Sequence, residues 1–236
     1  MPIPIADENP THFSHKSIVT IGLIALNVLV FVLFQQGLFD EVTDASVLGF
    51  GLVPSVFWGD KILPPGIYNL GGDNTIVSYM FLHGGMMHLV SNMLILWVFG
   101  DNIEQALGRY RFLAFYIIGG MAAGYLHAWI MPSSDAPLVG ASGAISAVSA
   151  AYLLLHPKAK LWLLLFWVVP VKTPAWAAIL AWFVYQLYAS VTAGAEAAVA
   201  WWAHIGGFIF GLAYILVLKR QLIDRFYVDL FVKKID

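Results

Sequence analysis

The sequence predicts an all-α integral membrane protein, a bundle of six transmembrane helices, and three observations carry that expectation. The 236 residues are 60% hydrophobic and 11% charged, more apolar surface than a soluble fold of this size can hide. The apolar residues gather into runs of about bilayer length, separated by turn residues and charges. Reading those runs as six spans puts Lys16, Arg109, Arg111, Lys158, Lys160, Lys172, Lys219, Arg220, Arg225, Lys233 and Lys234 on one face, with Lys61 opposite. That is the positive-inside pattern of a chain with both termini in the cytoplasm, and losing one span would scramble it.

Composition also excludes. A formal charge of -2 and the lack of a basic patch with interleaved aromatics argue against nucleic acid and other polyanionic partners. With no cysteine there is no disulfide, thiolate chemistry or Cys-ligated metal. The opening MPIPIADENPTHFSHK lacks the basic start and small-residue cleavage site of a signal peptide. Residues 1–16 are therefore read as a cytoplasmic N-terminal segment, and the first apolar run as a retained span.

That first span covers 17–34 and is closed by Gln35 and Gln36. From Gly37 to about Leu82, acidic residues, Pro54, Pro64-Pro65 and several glycines interrupt short apolar runs, as in a partly ordered interfacial insert. The second span starts after Gly84-Gly85, a natural break, and runs over 86–107, carrying Glu104 past the membrane surface. The third is 112–131; the fourth is 141–155, stopped by His156-Pro157. Leu161 to Val169 is apolar, but Pro170, Pro174 and Lys172 forbid a continuous span, so that run is interfacial and the fifth span is 174–191. The sixth is 199–218, and 219–236 is a charged cytoplasmic tail. No internal repeat or second domain is visible.

The stretch PLVGASGAISAVSA sets Ser142 between Gly140 and Gly143 at the start of the fourth helix. Such a serine is either a small residue for helix packing or a nucleophile. Depth bears on the choice. The fourth helix is about 22 Å long at 1.5 Å per residue, so Ser142 lies several Å below the outer surface of a core roughly 30 Å thick. His204 is five residues into the sixth span and His88 twelve above Gly100, with Asn92 one turn below it; all fall in one layer near the outer leaflet. Ala203, Gly207 and Gly211 form a small-residue face that matches Gly143, Ser146, Ala147 and Ala150, and close approach there would set Ser142 beside His204. A neutral imidazole suits a general base. No Asp or Glu in a span is placed to orient it, so the pair reads as a dyad. His88, Asn92 and the Ser142 amide could hold an oxyanion.

Other polar residues have plainer readings. Asn92 could simply bridge helices, and His83 is expected to hydrogen-bond the preceding loop. His127 and His156 look interfacial, Glu104 with Arg109 or Arg111 looks like a cytoplasmic anchor, and Trp201-Trp202 belongs to an aromatic belt. No metal or other cofactor is expected: there is no HExxH, His83 and His88 are five apart and so on different helix faces, and no carboxylate accompanies them.

These residues resemble the motifs of the rhomboid family of intramembrane serine proteases. FLHGGMMHLVSN carries His83, His88 and Asn92 in a His-x4-His-x3-Asn spacing, GASGA surrounds Ser142, and AHIGGFIFG holds His204. They come in the family's order, on its second, fourth and sixth helices, and the similarity covers the six-span core. The resemblance implies a rhomboid-like bundle with Ser142 as nucleophile, His204 as base, and His88, Asn92 and the Ser142 amide as oxyanion hole. Gly140, beside the nucleophile, with Gly143, His83 and Gly207, would support the site. Implied partners are transmembrane protein substrates, cut near their outer ends and entering near the second and fifth helices, where Trp176 and Phe183 lie, and the lipid bilayer. DNIEQALGR resembles the family's cytoplasmic extension of the second helix. Two features depart: the Trp-Arg pair of the first loop is missing, and Ser146 stands where some members have an aromatic.

The reading that results is a serine endopeptidase in a prokaryotic cell membrane, its polar cavity open to the outer face and partly covered by the Gly37 to Leu82 insert. One rival is a catalytically inactive rhomboid-like protein that binds membrane clients; such relatives typically lack the serine or the histidine, and both are present. A small transporter is another, but its site would sit at the membrane centre with paired charges.

Overall fold

The computed structural model describes residues 3–8, 17–35, 40–166, 168–192 and 200–232. Gln36, the Val199 start of the sixth span, residues 9–16 of the N-terminal segment and the last four of the tail lie outside the described residues.

The chain is mostly helical. In order come strand β1 (Ile3–Glu8), helices α1 (Ile18–Phe34), α2 (Asp40–Phe50), α3 (Pro54–Phe57) and α4 (Gly72–Ser78), a 3-10 turn over Tyr79–Phe81, then α5 (Met86–Leu107), α6 (Arg109–Ile130) and α7 (Ser142–Leu155). Strands β2 (Lys160–Leu165) and β3 (Val169–Pro174) follow, then α8 (Ala175–Thr192) and α9 (Trp201–Val232). Three helices among the described residues are long and apolar enough to cross a membrane: Arg109–Ile130, Ala175–Thr192 and Trp201–Leu218. Gly72–Phe81 and Met86–Leu107 pass that test only together and are bent by 81°, while Ile18–Phe34 and Ser142–Leu155 are shorter apolar helices.

Local chemistry explains the limits. α5 starts after the flexible Gly84-Gly85 pair and stops at Gly108, whose φ of 80° ends the helix and launches α6 at Arg109. α7 stops where His156-Pro157 removes the next donor. α9 continues well past Leu218, so the expected tail is helical backbone through Val232; nothing in LKRQLIDRFYVDLFV breaks a helix.

The all-α expectation needs correction. A three-stranded antiparallel sheet, order β1-β2-β3, covers the end of the bundle where α7 finishes. The run read as interfacial is its hairpin, with Leu163 opposite Val171, and the N-terminal segment supplies an edge strand with Ile3 opposite Leu164 and Glu8 opposite Lys160. Pro170 and Pro174 are tolerated because β3 is the other edge. Polar contacts fix β1 to the bundle. Tyr152 Oη donates to Asp7 Oδ2 at 2.5 Å and Asn102 Nδ2 donates to the same oxygen at 3.1 Å, while within the sheet Lys172 of β3 pairs with Glu8 at 2.6 Å.

Glu104, expected to be an anchor with Arg109 or Arg111, ties down the start of α1. It is buried, and its carboxylate accepts the Val19 N–H at 3.0 Å, the Thr20 N–H at 2.7 Å and the Thr20 hydroxyl at 2.8 Å. It thus satisfies the orphan donors at the start of α1, where a negative charge also complements the helix dipole.

α7 lies at the centre, packed on α5, α6 and α9. Ten of its residues are buried and most are small, which lets backbones approach closely. A Cβ on Gly207 would lie 1.9 Å from Gly143 O, and one on Gly211 2.3 Å from Ala147 O. At the opposite end from the sheet, the ordered insert staples the loop before α7. Leu52 and Leu138 exchange backbone hydrogen bonds of 3.0 and 2.8 Å, and Asp135 accepts from Ser55 Oγ and Lys61 Nζ at 2.7 and 2.6 Å.

Candidate active site

The turn into α7 is set by Gly140. Its φ of +121° is a conformation side chains avoid, and its N–H donates to Tyr79 O at 2.9 Å. The chain then enters α7 with Ser142 as its first residue, so the Ser142 N–H has no acceptor within its own helix. Across the α7–α9 contact, His204 sits in the first turn of α9, one turn before Gly207. Because Gly207 has no side chain, the two backbones close up and His204 Nε2 comes to 2.8 Å from Ser142 Oγ.

The other ring nitrogen has a partner as well. His204 Nδ1 lies 2.7 Å from Oε1 of Gln186, a buried residue of α8. The ring packs beside Trp182 at 5.9 Å and edge-on to Trp201 at 6.3 Å. The aromatic neighbours of the imidazole thus come from α8 and α9. Ser146, four residues after Ser142, instead donates its hydroxyl back to Ser142 O at 2.7 Å.

His88 and Asn92 lie on α5 across the same space. Gly84 N–H approaches His88 Nδ1 at 3.4 Å, which assigns Nδ1 as acceptor and leaves Nε2 as the ring's N–H. That Nε2 would be 2.8 Å from a Cβ on Gly140, and Ser142 Oγ 3.6 Å from it, so both border a space of about one methyl group. Asn92 is buried, and its Nδ2 has no hydrogen-bond partner among the described residues. Gly143 is where α6 and α9 close on α7: a Cβ there would meet Ala123 Cβ at 2.6 Å.

His83 departs from expectation. It is tied down by its backbone, whose N–H donates to Gln35 Oε1 at 2.7 Å; its buried ring nitrogens have no hydrogen-bond partner among the described residues. Nor do His83 and His88 diverge: His83 precedes the helix, and the rings meet edge-on at 5.2 Å. His127, in the last turn of α6, lines the cavity wall, as do Trp201 and Trp202.

These side chains share one cavity of about 680 Å³. It is walled by His88, Asn92, Ser142, Trp182, Gln186 and His204, and it reaches from Ser134 and Pro137 in the loop before α7 down to Ile3 and Leu163 of the sheet. Among the described residues, the insert expected to cover it contributes no wall residue; it acts through the Leu52–Leu138 pairing. Chemically, the arrangement offers a hydroxyl whose proton can pass to an imidazole, with donors on the opposite wall facing the space beside it.

Sequence reasoning missed Gln186 because it looked for a carboxylate to orient His204. The available signal was a single amide among Ile179, Trp182 and Phe183 on one face of an otherwise apolar helix.

A family model described as Rhomboid domain matches residues 74–221. Rhomboid protease AarA of Providencia stuartii is 31% identical over 236 residues, covering 89% of this chain and 79% of its own. Presenilin-associated rhomboid-like protein A, mitochondrial, of Danio rerio is 32% identical over 170 residues, and Rhomboid protein 1, mitochondrial, of Saccharomyces cerevisiae is 32% identical over 150. The chain spans 42% and 40% of the length of those two relatives.

Proposed function

The chain belongs to the rhomboid family, and from that premise we propose that it is an intramembrane serine endopeptidase cutting peptide bonds in or near transmembrane segments of membrane proteins. The observation that carries this reading is the 2.8 Å approach of His204 Nε2 to Ser142 Oγ inside a cavity of the helical bundle.

In this reading Ser142 Oγ attacks the scissile carbonyl while its proton passes to His204 Nε2. The tetrahedral oxyanion is held by His88 Nε2–H, the Asn92 amide and the Ser142 N–H. Collapse expels the amine, which takes the proton back from His204, and water admitted through the cavity hydrolyses the acyl-enzyme. Gly140, Gly143, Gly207 and His83 keep these groups in register. Purified protein is incubated with a model transmembrane substrate. Cleavage, and labelling of Ser142 by a fluorophosphonate, are expected to disappear in Ser142→Ala and cleavage in His204→Ala; product from Ser142→Ala at the wild-type rate overturns the assignment.

The six spans in this reading are α1, α5, α6, α7, α8 and the first part of α9, within a membrane domain over 17–218. Both termini are cytoplasmic and the site opens to the outer face. A prokaryotic cell membrane is favoured by AarA, whose match covers most of both chains, whereas the mitochondrial relatives match over less than half their length. Because the chain lacks cysteine, single cysteines at Lys61 and Lys158 test the orientation: an impermeant maleimide should reach only the first in intact cells.

A further inference from the structure

We infer that Gln186 is the positioning residue of the proposed dyad, fixing the tautomer and angle of His204 from α8. The inference rests on the hydrolase reading above. Three observations converge on it. Gln186 Oε1 is 2.7 Å from His204 Nδ1, and the opposite ring nitrogen is the one that meets Ser142. Gln186 is 0% exposed on a helix face otherwise occupied by Ile179, Trp182 and Phe183, where an amide costs free energy unless it is hydrogen-bonded. Its Nε2 has no partner among the described residues, so the bond to the imidazole is the interaction that accounts for an amide there.

The chemistry follows from donor and acceptor roles. An amide oxygen only accepts, so Nδ1 must carry the proton. Nε2 then presents a lone pair to the Ser142 hydroxyl and can take its proton. With the opposite tautomer, Nε2–H would donate to Ser142 Oγ and no base would face the nucleophile. When Nε2 becomes protonated during attack, the same amide oxygen holds the imidazolium in place.

α8 supplies this contact from outside the α7–α9 pair. Phe183 stacks on Phe208 at 3.9 Å, and Trp182 packs against both Phe208 and the His204 ring. Those contacts set how far Gln186 stands from the imidazole. The tautomer is therefore conditional on α8 being seated against α9, and a movement of α8 by one hydrogen-bond length would release it.

The test uses Gln186→Met, which keeps length and apolar packing but removes the acceptor, and Gln186→Glu, which restores one. Two readouts are taken on the full chain in detergent. Without substrate, ¹⁵N spectra of His204 report which ring nitrogen is protonated: wild type should show Nδ1–H, and Gln186→Met a mixture of tautomers. With a transmembrane substrate, Gln186→Met should lower kcat about tenfold at unchanged KM, which corresponds to roughly 1.4 kcal/mol, and Gln186→Glu should recover part of it. Wild-type spectra and kcat in the Met variant overturn the inference. A wild-type enzyme that neither cleaves nor labels at Ser142 is instead a failure of the hydrolase reading, and the tautomer measurement still decides the role of Gln186.

Discussion

Gly207→Ala is the sharpest test of how the dyad is assembled. The added Cβ would lie 1.9 Å from Gly143 O and 2.9 Å from Gly143 C. Both are backbone atoms of α7, so no side chain can rotate away. Bringing that contact out to 3.0 Å, the least that Cβ atoms tolerate, moves α9 from α7 by about 1.1 Å, at a cost of about 1–3 kcal/mol in stability. His204 is one turn from Gly207 and would move with it. Its 2.8 Å approach to Ser142 would open toward about 3.9 Å, beyond hydrogen-bonding range, and a misplacement of about 1 Å can cost on the order of a hundredfold in rate. The assay is fluorophosphonate labelling of Ser142 with Gly22→Ala as control, since a Cβ at Gly22 meets nothing within 4 Å. Gly207→Ala that stays folded and labels as fast as wild type refutes the claim that glycine at this crossing sets the serine–histidine distance.

Three further outcomes follow from single contacts. Gly140→Ala combines an unfavourable φ of +121° with a Cβ 2.8 Å from the His88 ring; on the proposed reading it should lower kcat by at least about tenfold through the oxyanion donors, with a smaller effect on unfolding. Glu104→Ala removes the acceptor of two backbone N–H groups and a hydroxyl at the start of α1, at about 2–3 kcal/mol, read as a drop of several degrees in the detergent unfolding midpoint with Ser142 labelling retained below it. The Lys61 ammonium, with Ser55, holds Asp135 below the usual carboxylate range. A depressed folded-state value means the staple contributes above about pH 4, the unfolded value, and is lost as pH falls through the folded one; Trp58 fluorescence, reporting its bond to Ala128 O, should therefore change at lower pH in wild type than a free carboxylate would titrate, and not in Asp135→Asn.

The helices were legible because their limits are written locally. Gly84-Gly85 opens α5, His156-Pro157 closes α7, and Pro174 precedes α8. The small-residue faces of α7 and α9 could be matched on spacing alone, which is enough to bring Ser142 toward His204. The sheet was not legible. Prolines show that 161–174 is no helix, yet a short apolar run does not reveal its pairing, and the partner of Lys160–Leu165 lies about 150 residues away in a segment that reads as a polar terminus. Glu104 and Gln186 were missed for a related reason. Each owes its role to a group from another helix, a start of α1 and a ring of α9, and no spacing along the chain encodes that meeting.

Several of the polar atoms left without partners share a location. Asn92 Nδ2, Gln186 Nε2 and Trp201 Nε1 are buried without a hydrogen-bond partner among the described residues, and all three belong to side chains lining the cavity around Ser142. In hydrocarbon each such group costs several kcal/mol, so three around one space are sustainable only if the cavity offers them acceptors. All three are donors, and they come from α5, α8 and α9, so they surround the space rather than crowd one point. Water can satisfy them in the resting state. The ligand that matches them is one presenting carbonyl oxygens in several directions, as an unwound stretch of polypeptide does and a helix, with its carbonyls already bonded, does not. On the proposed reading, then, the cavity favours a locally unfolded segment over a helical one. A helix-breaking glycine or proline placed near the scissile bond of a test substrate should raise kcat/KM, and an all-leucine segment of equal hydropathy should lower it.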